Sequence, residues 1–570
     1  MNQKVIIIGL DGATFEVLEP WMAAGHLPHL QAMRAAGVSG PLRSCVPPVT
    51  APAWTSFMTG KNPGKHGVFD FVIQEPTSYR FHPVNSRHRH SKVLWELIGE
   101  QGGHVAVLNV PMTHPPYPVN GVLVSDFLLA TGKGGQSYPP ELIDELQRRF
   151  GPYPSDAVLP YFVVTQDDAD IRRFIGEYRD ALEYKFGVVE HLLEQTEPDF
   201  LMLHLYGNDQ ICHWLWHVID RTHPEHQPAQ AARVMNDILG YYCAFDARIG
   251  RLRQRLDEQT SLWVISDHGF GPVYKAIDLN TWLYQEGYLA LKQTPMTRLR
   301  RALWQMGLTP NSFSFITRHW LARQLGKLAR YVVKDSSYGG VDRVMQGHRA
   351  AQWLLSFDDI DWSRTVAYSP FGFGQIRINV QGTWAHGSVP PGPEYERLKQ
   401  EIASKLRAYC DPETGKPLEA DVFTKDEIYH GEFFDVAPDI LFVPVNGRYR
   451  PKSAGFTSNA VISHFLGMTG IHKMNGILIA EGTPFRHGTI IEDASIVDVL
   501  PTVLYLLGVP IPNDVDGMVL QPMFTSEFLQ QHPIRLSQHA ATALTAAGHA
   551  ADAQDEEEVI ERLRNLGYLD

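Results

Sequence analysis

The chain of 570 residues is predicted to adopt an α/β fold with a mostly parallel central sheet flanked by helices. Short apolar runs rich in β-branched residues recur along the chain, which is typical of strands that are buried on both faces. Segments with helical periodicity separate these runs, as parallel strands require. The runs are KVIIIGL (4–10), HVAVLNV (104–110), GVLVSDF (121–127), DFLMLHLY (199–206), SLWVISD (261–267) and GILIAEG (476–482).

Long amphipathic helices are predicted over residues 169–196 and 229–257. Each leads directly into one of the apolar runs, so a helix and strand unit occurs twice in succession. Near the end of the chain, DEEEVIERLRNLGYL (555–569) places acidic residues before arginines. This order favours a helix because it complements the helix macrodipole.

One large α/β domain interrupted by an insertion is predicted. The domain comprises residues 1–290 and 350–525, the insertion residues 291–349, and a C-terminal linker and helix residues 526–570. Between residues 291 and 334 the chain carries nine Lys or Arg and no Asp or Glu. The insertion is expected to be a basic helical hairpin packed on the core, and a lid over an anionic substrate or a contact with a membrane surface are the alternatives.

Composition excludes several classes of protein. A net charge of −13 argues against binding nucleic-acid duplexes through a basic surface. The four cysteines, Cys45, Cys212, Cys243 and Cys410, form no CxxC pair, so neither a disulfide framework nor a thiolate zinc site is expected. The first apolar run is too short for a signal peptide, and no run approaches the ~20 residues that span a bilayer. The protein is therefore expected to be cytoplasmic.

Candidate metal ligands follow three of the predicted strands. Asp11 follows the first strand, Asp209 and His213 follow the fourth, and Asp267 and His268 end the fifth. In open α/β sheets, ligands bind at the carboxyl ends of strands. Asp and His are ligands suited to zinc or manganese, and an Asp with a His four residues later lie on one helix face. Six or seven such ligands would fill two metal positions.

The stretch PPVTAPAWTSFMTG (47–60) supplies four hydroxyl side chains. A hydroxyl is a poor nucleophile unless it is activated, and metal coordination is one means of activation. The reactive hydroxyl is therefore expected beside Asp11. Thr50 follows VPPV and precedes Ala-Pro, which restricts the backbone on both sides. The remaining hydroxyls are predicted to be structural residues of a helix that ends at Gly60: Thr55, Ser56 and Thr59.

These residues resemble the alkaline phosphatase superfamily, specifically its type I phosphodiesterase and nucleotide pyrophosphatase branch. In that branch a Pro lies two positions after the Thr, and the Gly of a Thr-Gly pair lies ten positions after it. Thr50, Pro52 and Thr59-Gly60 keep this spacing. TGIHKMNGILIAEG (469–482) is similar to the final motif of the branch, and SIVDVLPTVLYLLGVPIPNDVDGMVL (495–520) to its closing helix and loop. The resemblance extends from residue 4 to about residue 522.

The resemblance implies an alkaline phosphatase-like fold and a hydrolase that acts on small phosphate esters, with phosphodiester or nucleotide pyrophosphate bonds favoured. It implies a phospho-threonine intermediate on Thr50 and two divalent ions, with zinc expected and manganese or iron as alternatives. The implied ligands are Asp11, Thr50, Asp267 and His268 for one ion, and Asp209, His213 and His472 for the other. His464 is the alternative to His472 in the second set.

The chain departs from the branch at Ala53, where an Asn usually follows the Thr by three residues. That Asn donates a hydrogen bond to a phosphoryl oxygen, and removing such a donor costs on the order of 3 kcal/mol of transition-state stabilisation. Asn208, Lys61 and Lys65 are candidate replacements. Because of this departure, the sequence does not determine whether the substrate is a nucleotide.

Three further histidines, His66, His204 and His217, are interpreted as structural or supporting groups because the ligand sets are already full. Alternative functions are a sulfatase, a phosphomonoesterase and a noncatalytic metal-binding scaffold. A sulfatase is disfavoured because Cys45 and Pro47 are followed by Val49, where its motif requires Arg. A dinucleotide-binding module is disfavoured because GLDG lacks the GxGxxG spacing.

Overall fold

The computed structural model describes residues 3–126, 136–154, 167–255, 257–310, 353–370, 372–452, 455–465, 467–538 and 553–565. Its centre is a ten-stranded, mostly parallel sheet that contains all six predicted runs, which confirms the predicted fold class. Ala494–Ser495 pairs with Val38–Arg43 at one side of the sheet. From one edge to the other, the remaining strands are Thr489–Ile490, Val38–Arg43, Asn475–Glu481, Thr260–Ile265, Lys4–Leu10, Phe200–Leu205, Val105–Leu108, Gly121–Val124 and Ser137–Tyr138.

The first strand, Lys4–Leu10, lies at the centre of the sheet and positions the candidate ligands. It runs parallel to both Phe200–Leu205 and Thr260–Ile265, with Gly9 level with His204 and Ile265. The carboxyl ends of the three strands therefore meet at one edge of the sheet. Asn475–Glu481 pairs antiparallel to its neighbours, so the sheet is mixed.

Alternate residues of the first strand enter two different cores, which explains why the run is apolar throughout. Val5 and Ile7 pack on one face, and Ile6 and Ile8 pack on the other. The two predicted long helices are present as Asp168–Thr196 and Pro228–Arg253, and both pack on the face of Ile6 and Ile8. The other α-helices of the described chain are Phe15–Ala23, Pro28–Ala36, Thr50–Thr59, Pro63–His66, Leu94–Glu100, Leu142–Phe150, Gly207–Ile219, Leu279–Gln285, Pro295–Gln305, Pro393–Arg407, Lys425–Ile428, Val499–Leu506, Ser526–Gln531 and Ala553–Asn565.

Smaller sheets pack beside the central sheet and contribute one wall of the candidate site. Among the described residues, one smaller sheet consists of Ala367–Tyr368, Gln375–Ile378, Ile440–Pro444 and Ala420–Thr424, and another of Tyr449–Lys452, Lys275–Asp278 and Ile462–His464. Two more are strand pairs, Gly269–Pro272 with Gly470–Lys473 and Val72–Gln74 with Phe81–Pro83.

The described chain also has short 3₁₀ helices at Ser86–His88, Phe357–Asp359, Phe434–Val436, Ile496–Asp498 and Gln521–Met523.

The beginning of the predicted insertion packs on the core. Trp304, in the helix Pro295–Gln305, is buried and donates from Nε1 to the Ser458 carbonyl at 3.1 Å. Residues 311–349 of the insertion lie outside the described residues. The predicted C-terminal helix is present as Ala553–Asn565, and its Val559 and Leu563 are buried in the core. Among the helices described, none has the length and apolar character that crossing a membrane would require.

Candidate active site

Thr50 is the first residue of a buried helix that ends as predicted. The helix Thr50–Thr59 is preceded by Val49 in an extended conformation and followed by Gly60 at φ 65°, a left-handed conformation suited to glycine. The later hydroxyls bond within the helix, since Thr55 Oγ1 donates to the Ala51 carbonyl at 2.7 Å. Thr59 Oγ1 donates in the same way to the Thr55 carbonyl at 2.6 Å.

The Thr50 hydroxyl and two carboxylates surround one imidazole nitrogen. His268 Nε2 lies 3.5 Å from Thr50 Oγ1, 3.5 Å from Asp11 Oδ1 and 3.3 Å from Asp267 Oδ2. All four side chains are fully buried. The structure therefore brings together the four residues of the first predicted ligand set, although the chain separates Thr50 from His268 by 218 positions.

The second predicted ligand set forms an adjoining cluster. Asp209 and His213 lie one turn apart on the helix Gly207–Ile219, and Asp209 Oδ1 is 3.4 Å from His213 Nε2. The same oxygen is 3.2 Å from His472 Nε2, and the two Nε2 atoms are 2.9 Å apart. His464, the alternative to His472, has a side chain that is 66% exposed and lies 4.0 Å from Glu225. The structure thus places His472 in the cluster and His464 on the surface.

Backbone carbonyls fix the orientation of the three imidazoles. Nδ1 of His213 lies 3.0 Å from the Gly470 carbonyl, Nδ1 of His472 lies 2.9 Å from the Pro48 carbonyl, and Nδ1 of His268 lies 3.2 Å from the Gly269 carbonyl. A carbonyl can only accept, so each Nδ1 donates. A neutral ring then directs the Nε2 lone pair at the carboxylates, as metal-binding histidines do.

Electrostatics favour a cation at this position. Burial lowers the pKa of His213 and His472 to about 3, so both rings are neutral. Burial, together with the neighbouring carboxylate, raises the pKa of Asp11 and of Asp267 well above the usual value. Asp11 Oδ1 and Asp267 Oδ2 are buried and accept no hydrogen bond from any described residue.

The residues present fit divalent metal ions. Ligand atoms of Asp209, His213 and His472 lie within 4.8 Å of one another, and so do those of Asp11, Asp209 and His268. These oxygen and nitrogen atoms suit zinc, manganese or iron. A cation would satisfy the buried oxygens and relieve the mutual repulsion of the carboxylates.

Asp11 is held in place by two further side chains. Trp54 Nε1 donates to Asp11 Oδ2 at 2.9 Å, and His204 Nε2 lies 2.8 Å from the same oxygen. His204 thus contacts a candidate ligand, consistent with the supporting role expected from the sequence. Trp54 was missed by the sequence analysis, although it follows Thr50 by four residues and therefore lies on the same helix face.

The close approach of two candidate ligands depends on Gly12. Its φ is +66°, and a Cβ at this position would lie 2.5 Å from Phe270 Cε2. Its backbone N–H donates to Asp267 Oδ1 at 3.2 Å. Glycine is therefore required directly after Asp11 for both conformational and steric reasons.

The proposed substitutes for an Asn at position 53 are engaged elsewhere. Lys61 and Lys65 follow the opposite end of the helix from Thr50 and form ion pairs with Asp514 and Asp516. Both lysines lie about 15 Å along the helix from Thr50, which makes them poor candidates to replace the Asn. The Asn208 amide donates to the Asp11 carbonyl at 2.6 Å.

His66, His217 and Cys45, which the sequence also drew attention to, lie in buried or partly buried positions within the fold. His66 Nε2 lies 3.0 Å from Ser56 Oγ, which links the turn after the helix to the helix itself. His217 Nδ1 lies 3.1 Å from Thr469 Oγ1. Burial raises the pKa of the Cys45 thiol to about 12, so this thiol is protonated at neutral pH.

Comparison with known proteins identifies related sequences and folds. A sequence model described as type I phosphodiesterase / nucleotide pyrophosphatase matches residues 5–454. No curated protein matches the chain in sequence. Phosphonoacetate hydrolase from Sinorhizobium meliloti 1021, in complex with phosphonoformate, is a similar solved structure, with 14% identity, a TM-score of 0.52 and coverage of 89% of this chain and 96% of that chain.

Two further structures are similar at comparable identity. The same hydrolase in complex with phosphonoacetate has 13% identity, a TM-score of 0.51 and coverage of 89% of this chain and 96% of that chain. Human ectonucleotide pyrophosphatase / phosphodiesterase 5 has 13% identity, a TM-score of 0.49 and coverage of 92% of this chain and 100% of that chain. The two hydrolase structures share the fold of this chain.

Proposed function

The chain belongs to the type I phosphodiesterase / nucleotide pyrophosphatase family of phosphate ester hydrolases, and we propose that it transfers a phosphoryl group first to Thr50 and then to water. The observation that carries this proposal is the position of Thr50. Its Oγ1 lies 3.5 Å from His268 Nε2, which is itself 3.5 Å from Asp11 Oδ1. The proposed substrate is a small phosphate ester, with a phosphodiester or a nucleotide pyrophosphate bond favoured.

We propose that two divalent ions, zinc in the first instance, occupy the two clusters. Asp11, Thr50, Asp267 and His268 would hold one ion, and Asp209, His213 and His472 would hold the other. When bound, such ions supply Lewis acidity that makes a hydroxyl a stronger nucleophile and stabilises charge on the attacking and leaving oxygens. Manganese and iron accept the same ligands.

Thr50 is the group that forms a bond with the substrate. In the first step the Thr50 hydroxyl loses its proton, Oγ1 bonds to phosphorus, and the bond from phosphorus to the leaving oxygen breaks, with a proton taken up by the leaving group. In the second step a water oxygen bonds to phosphorus and the threonine ester breaks, which restores the hydroxyl and releases the phosphate product. The positive end of the helix Thr50–Thr59 faces this position and favours an anionic group there.

The surrounding residues hold this arrangement in a fixed geometry. Trp54 and His204 contact one oxygen of Asp11, which directs its other oxygen toward His268. Backbone carbonyls and buried rings hold the candidate metal ligands in place. The side chains of the site therefore need little reorganisation when a substrate binds.

Hydrolysis of two simple esters tests the proposal. The purified protein is assayed with p-nitrophenyl phosphate and with bis(p-nitrophenyl) phosphate, each with added zinc or manganese and after treatment with a chelator. We expect hydrolysis of at least one ester, lost with the chelator and restored by the metal. Activity on neither ester would indicate the metal-binding scaffold instead. A preference for the monoester would favour a phosphomonoesterase, and activity on p-nitrophenyl sulfate would favour a sulfatase.

A further inference from the structure

The helix Pro295–Gln305 exposes a row of apolar side chains on the face that points away from the core. Met296 is 45% exposed and Leu299 is 44% exposed. Leu303 is partly exposed, and Met306, directly after the helix, is 75% exposed. Positions separated by three, four and three residues lie on one face of an α-helix. These four side chains therefore form a single stripe, which we call the outer stripe.

The opposite face of the same helix is packed on the domain. Thr297 and Trp304 are buried, and Trp304 Nε1 donates to the Ser458 carbonyl at 3.1 Å. Thr297 Oγ1 donates to Asp359 Oδ1 at 2.7 Å. A helix that is packed on one face normally has polar residues on the other. Single exposed apolar side chains are common on proteins, but a contiguous row of them marks a surface that binds a partner.

Basic side chains flank the outer stripe. Arg298 is exposed and Arg301 is partly exposed, and their positions fall between the outer stripe and the packed face on one side of the helix. On the other side, Arg300 Nη1 lies 3.0 Å from Asp359 Oδ1. The helix itself contains no Asp or Glu. An apolar stripe edged by arginines is typical of helices that lie in the plane of a membrane surface.

The charge of the surrounding sequence points to an anionic partner. Residues 291–334 carry nine Lys or Arg and no acid, in a chain whose net charge is −13. Such a segment attracts anionic headgroups, whereas the chain as a whole is repelled by them. Five of the nine basic residues follow position 310, so residues 311–334 would bring like charges together if they covered the outer stripe.

A lipid surface also fits the side chains of the outer stripe. Stable protein interfaces are usually anchored by Trp, Tyr or Arg side chains that fill pockets in the partner. The outer stripe instead consists of flexible Met and Leu side chains. A fluid bilayer accepts such side chains without a matching pocket, and arginines beside them reach the headgroups while their aliphatic stems stay in the apolar layer.

We propose that the outer stripe docks the protein on an anionic lipid surface, with Arg298 at the level of the headgroups. The helix has 11 residues and is about 16 Å long, so it lies along the surface. A short helix with few apolar side chains binds weakly and reversibly, and it needs both the apolar and the ionic contribution. This inference does not depend on the reaction at Thr50.

Sedimentation of the full-length protein with vesicles tests the proposal. One set of vesicles is phosphatidylcholine alone, and the other is an equal mixture of phosphatidylcholine and phosphatidylserine. The quantity measured is the lipid concentration at which half of the protein sediments. We expect binding to the mixed vesicles at low ionic strength, weaker by at least about 10-fold with phosphatidylcholine alone. High ionic strength should weaken it too, because salt screens the attraction of exposed charges.

Two matched pairs of variants locate the binding surface. Met306→Ser is compared with Met518→Ser, because Met306 and Met518 are both 75% exposed. Arg298→Gln is compared with Arg179→Gln, since Arg179 is also exposed on a helix, Asp168–Thr196. Met306→Ser and Arg298→Gln should each raise the lipid concentration for half binding by about 5-fold. Each control should change it by less than about 2-fold.

The possible outcomes either support this docking surface or exclude it. If the wild-type protein binds neither kind of vesicle at low ionic strength, or if Met306→Ser or Arg298→Gln binds as its control does, the proposal is overturned. Light scattering and thermal unfolding identify the other occupants of the outer stripe. A dimer that Met306→Ser converts to a monomer would show that a second copy covers it. An unfolding temperature of Met306→Ser well below that of Met518→Ser would show that the chain itself covers it, and either result overturns the proposal.

Discussion

The Nε2 atoms of His213 and His472 lie 2.9 Å apart, although 259 positions separate the two residues in the chain. Each ring donates from Nδ1 to a backbone carbonyl, so the two Nε2 lone pairs face each other beside Asp209 Oδ1. Two lone pairs at this distance repel unless a cation lies between them and the carboxylate. The contact therefore links metal binding to the packing of the strand Gly470–Lys473 against the helix Gly207–Ile219.

Replacing His472 should remove one metal ion. His472→Ala deletes one ligand of the second cluster, so we expect the metal content to fall from two ions to one per chain, measured by elemental mass spectrometry. His464→Ala is the matched control, because His464 is an exposed histidine in the preceding strand. Equal metal contents in the two variants would contradict the assignment of His472.

Much of the central sheet could be predicted because its strands are buried on both faces. In the run KVIIIGL, successive side chains enter a core on one face or the other, so nearly all of them are apolar. The run could therefore be recognised as a strand without an alternation of apolar and polar residues. The strand Val38–Arg43 was not predicted, because its Gly40 and Pro41 indicate a turn. The structure shows the reason for Gly40, since a Cβ there would lie 1.8 Å from the Ile491 carbonyl oxygen.

The candidate site was predictable where a residue directly follows a strand. Asp11, Asp209 and Asp267 could be placed at one sheet edge from topology alone. The sequence could not choose among Asn208, Lys61 and Lys65 as replacements for the Asn, because the partner of each side chain depends on long-range packing. In the structure Lys61 and Lys65 pair with Asp514 and Asp516.

His204 should support metal binding without being a ligand. Its Nε2 lies 2.8 Å from Asp11 Oδ2, so His204→Ala removes a contact that orients Asp11. Loss of such a partner weakens metal affinity by about 10–100-fold. We expect the metal concentration for half-maximal activity to rise accordingly, with activity largely restored at saturating metal.

The control for His204 is His191→Ala. His191 is also a buried histidine beside a carboxylate, with Nε2 3.4 Å from Glu145 Oε1, but it lies away from the site. Metal dependence in that variant should match the wild-type protein. If His204→Ala stayed inactive at saturating metal while one ion was missing, His204 would itself be a ligand.

Asp70 should make stability depend on pH. Burial raises its pKa to about 8 in the folded protein, from 3.8 in the unfolded chain, although Phe71 N and Gln375 Nε2 both donate to it at 2.7 Å. The folded state therefore keeps a proton that the unfolded state releases above pH 3.8. The stability that this group contributes is fully present below pH 3.8 and is lost as the pH rises toward about 8.

Asp70→Asn removes this titration and keeps the size of the side chain. The unfolding temperature of the variant, relative to the wild-type protein, should therefore rise between about pH 5 and about pH 8. The slope is at most about 1.4 kcal/mol per pH unit for one group. A difference that stays constant across this range would show that Asp70 is ionised in the folded protein throughout.

Thr50→Ala should abolish turnover while the metal ions remain bound. The hydroxyl is the only group of Thr50 that can bond to phosphorus, so its removal eliminates the first step, and we expect kcat to fall by at least about 1,000-fold. The six remaining ligands are three carboxylates and three imidazoles, which should retain both ions. Thr50→Ser keeps a hydroxyl at the same position and should retain part of the activity.

Thr55→Ala provides the comparison for Thr50. Thr55 is a buried threonine of the same helix whose hydroxyl donates to the Ala51 carbonyl, so its loss affects stability rather than the reaction. Mass spectrometry of acid-quenched enzyme should detect phosphate on the peptide that contains Thr50 in the wild-type protein and in Thr55→Ala. A water molecule activated at the same position would also hydrolyse an ester, but it would leave no phosphate on this peptide. Thr50→Ala with undiminished kcat would rule out the threonine as nucleophile.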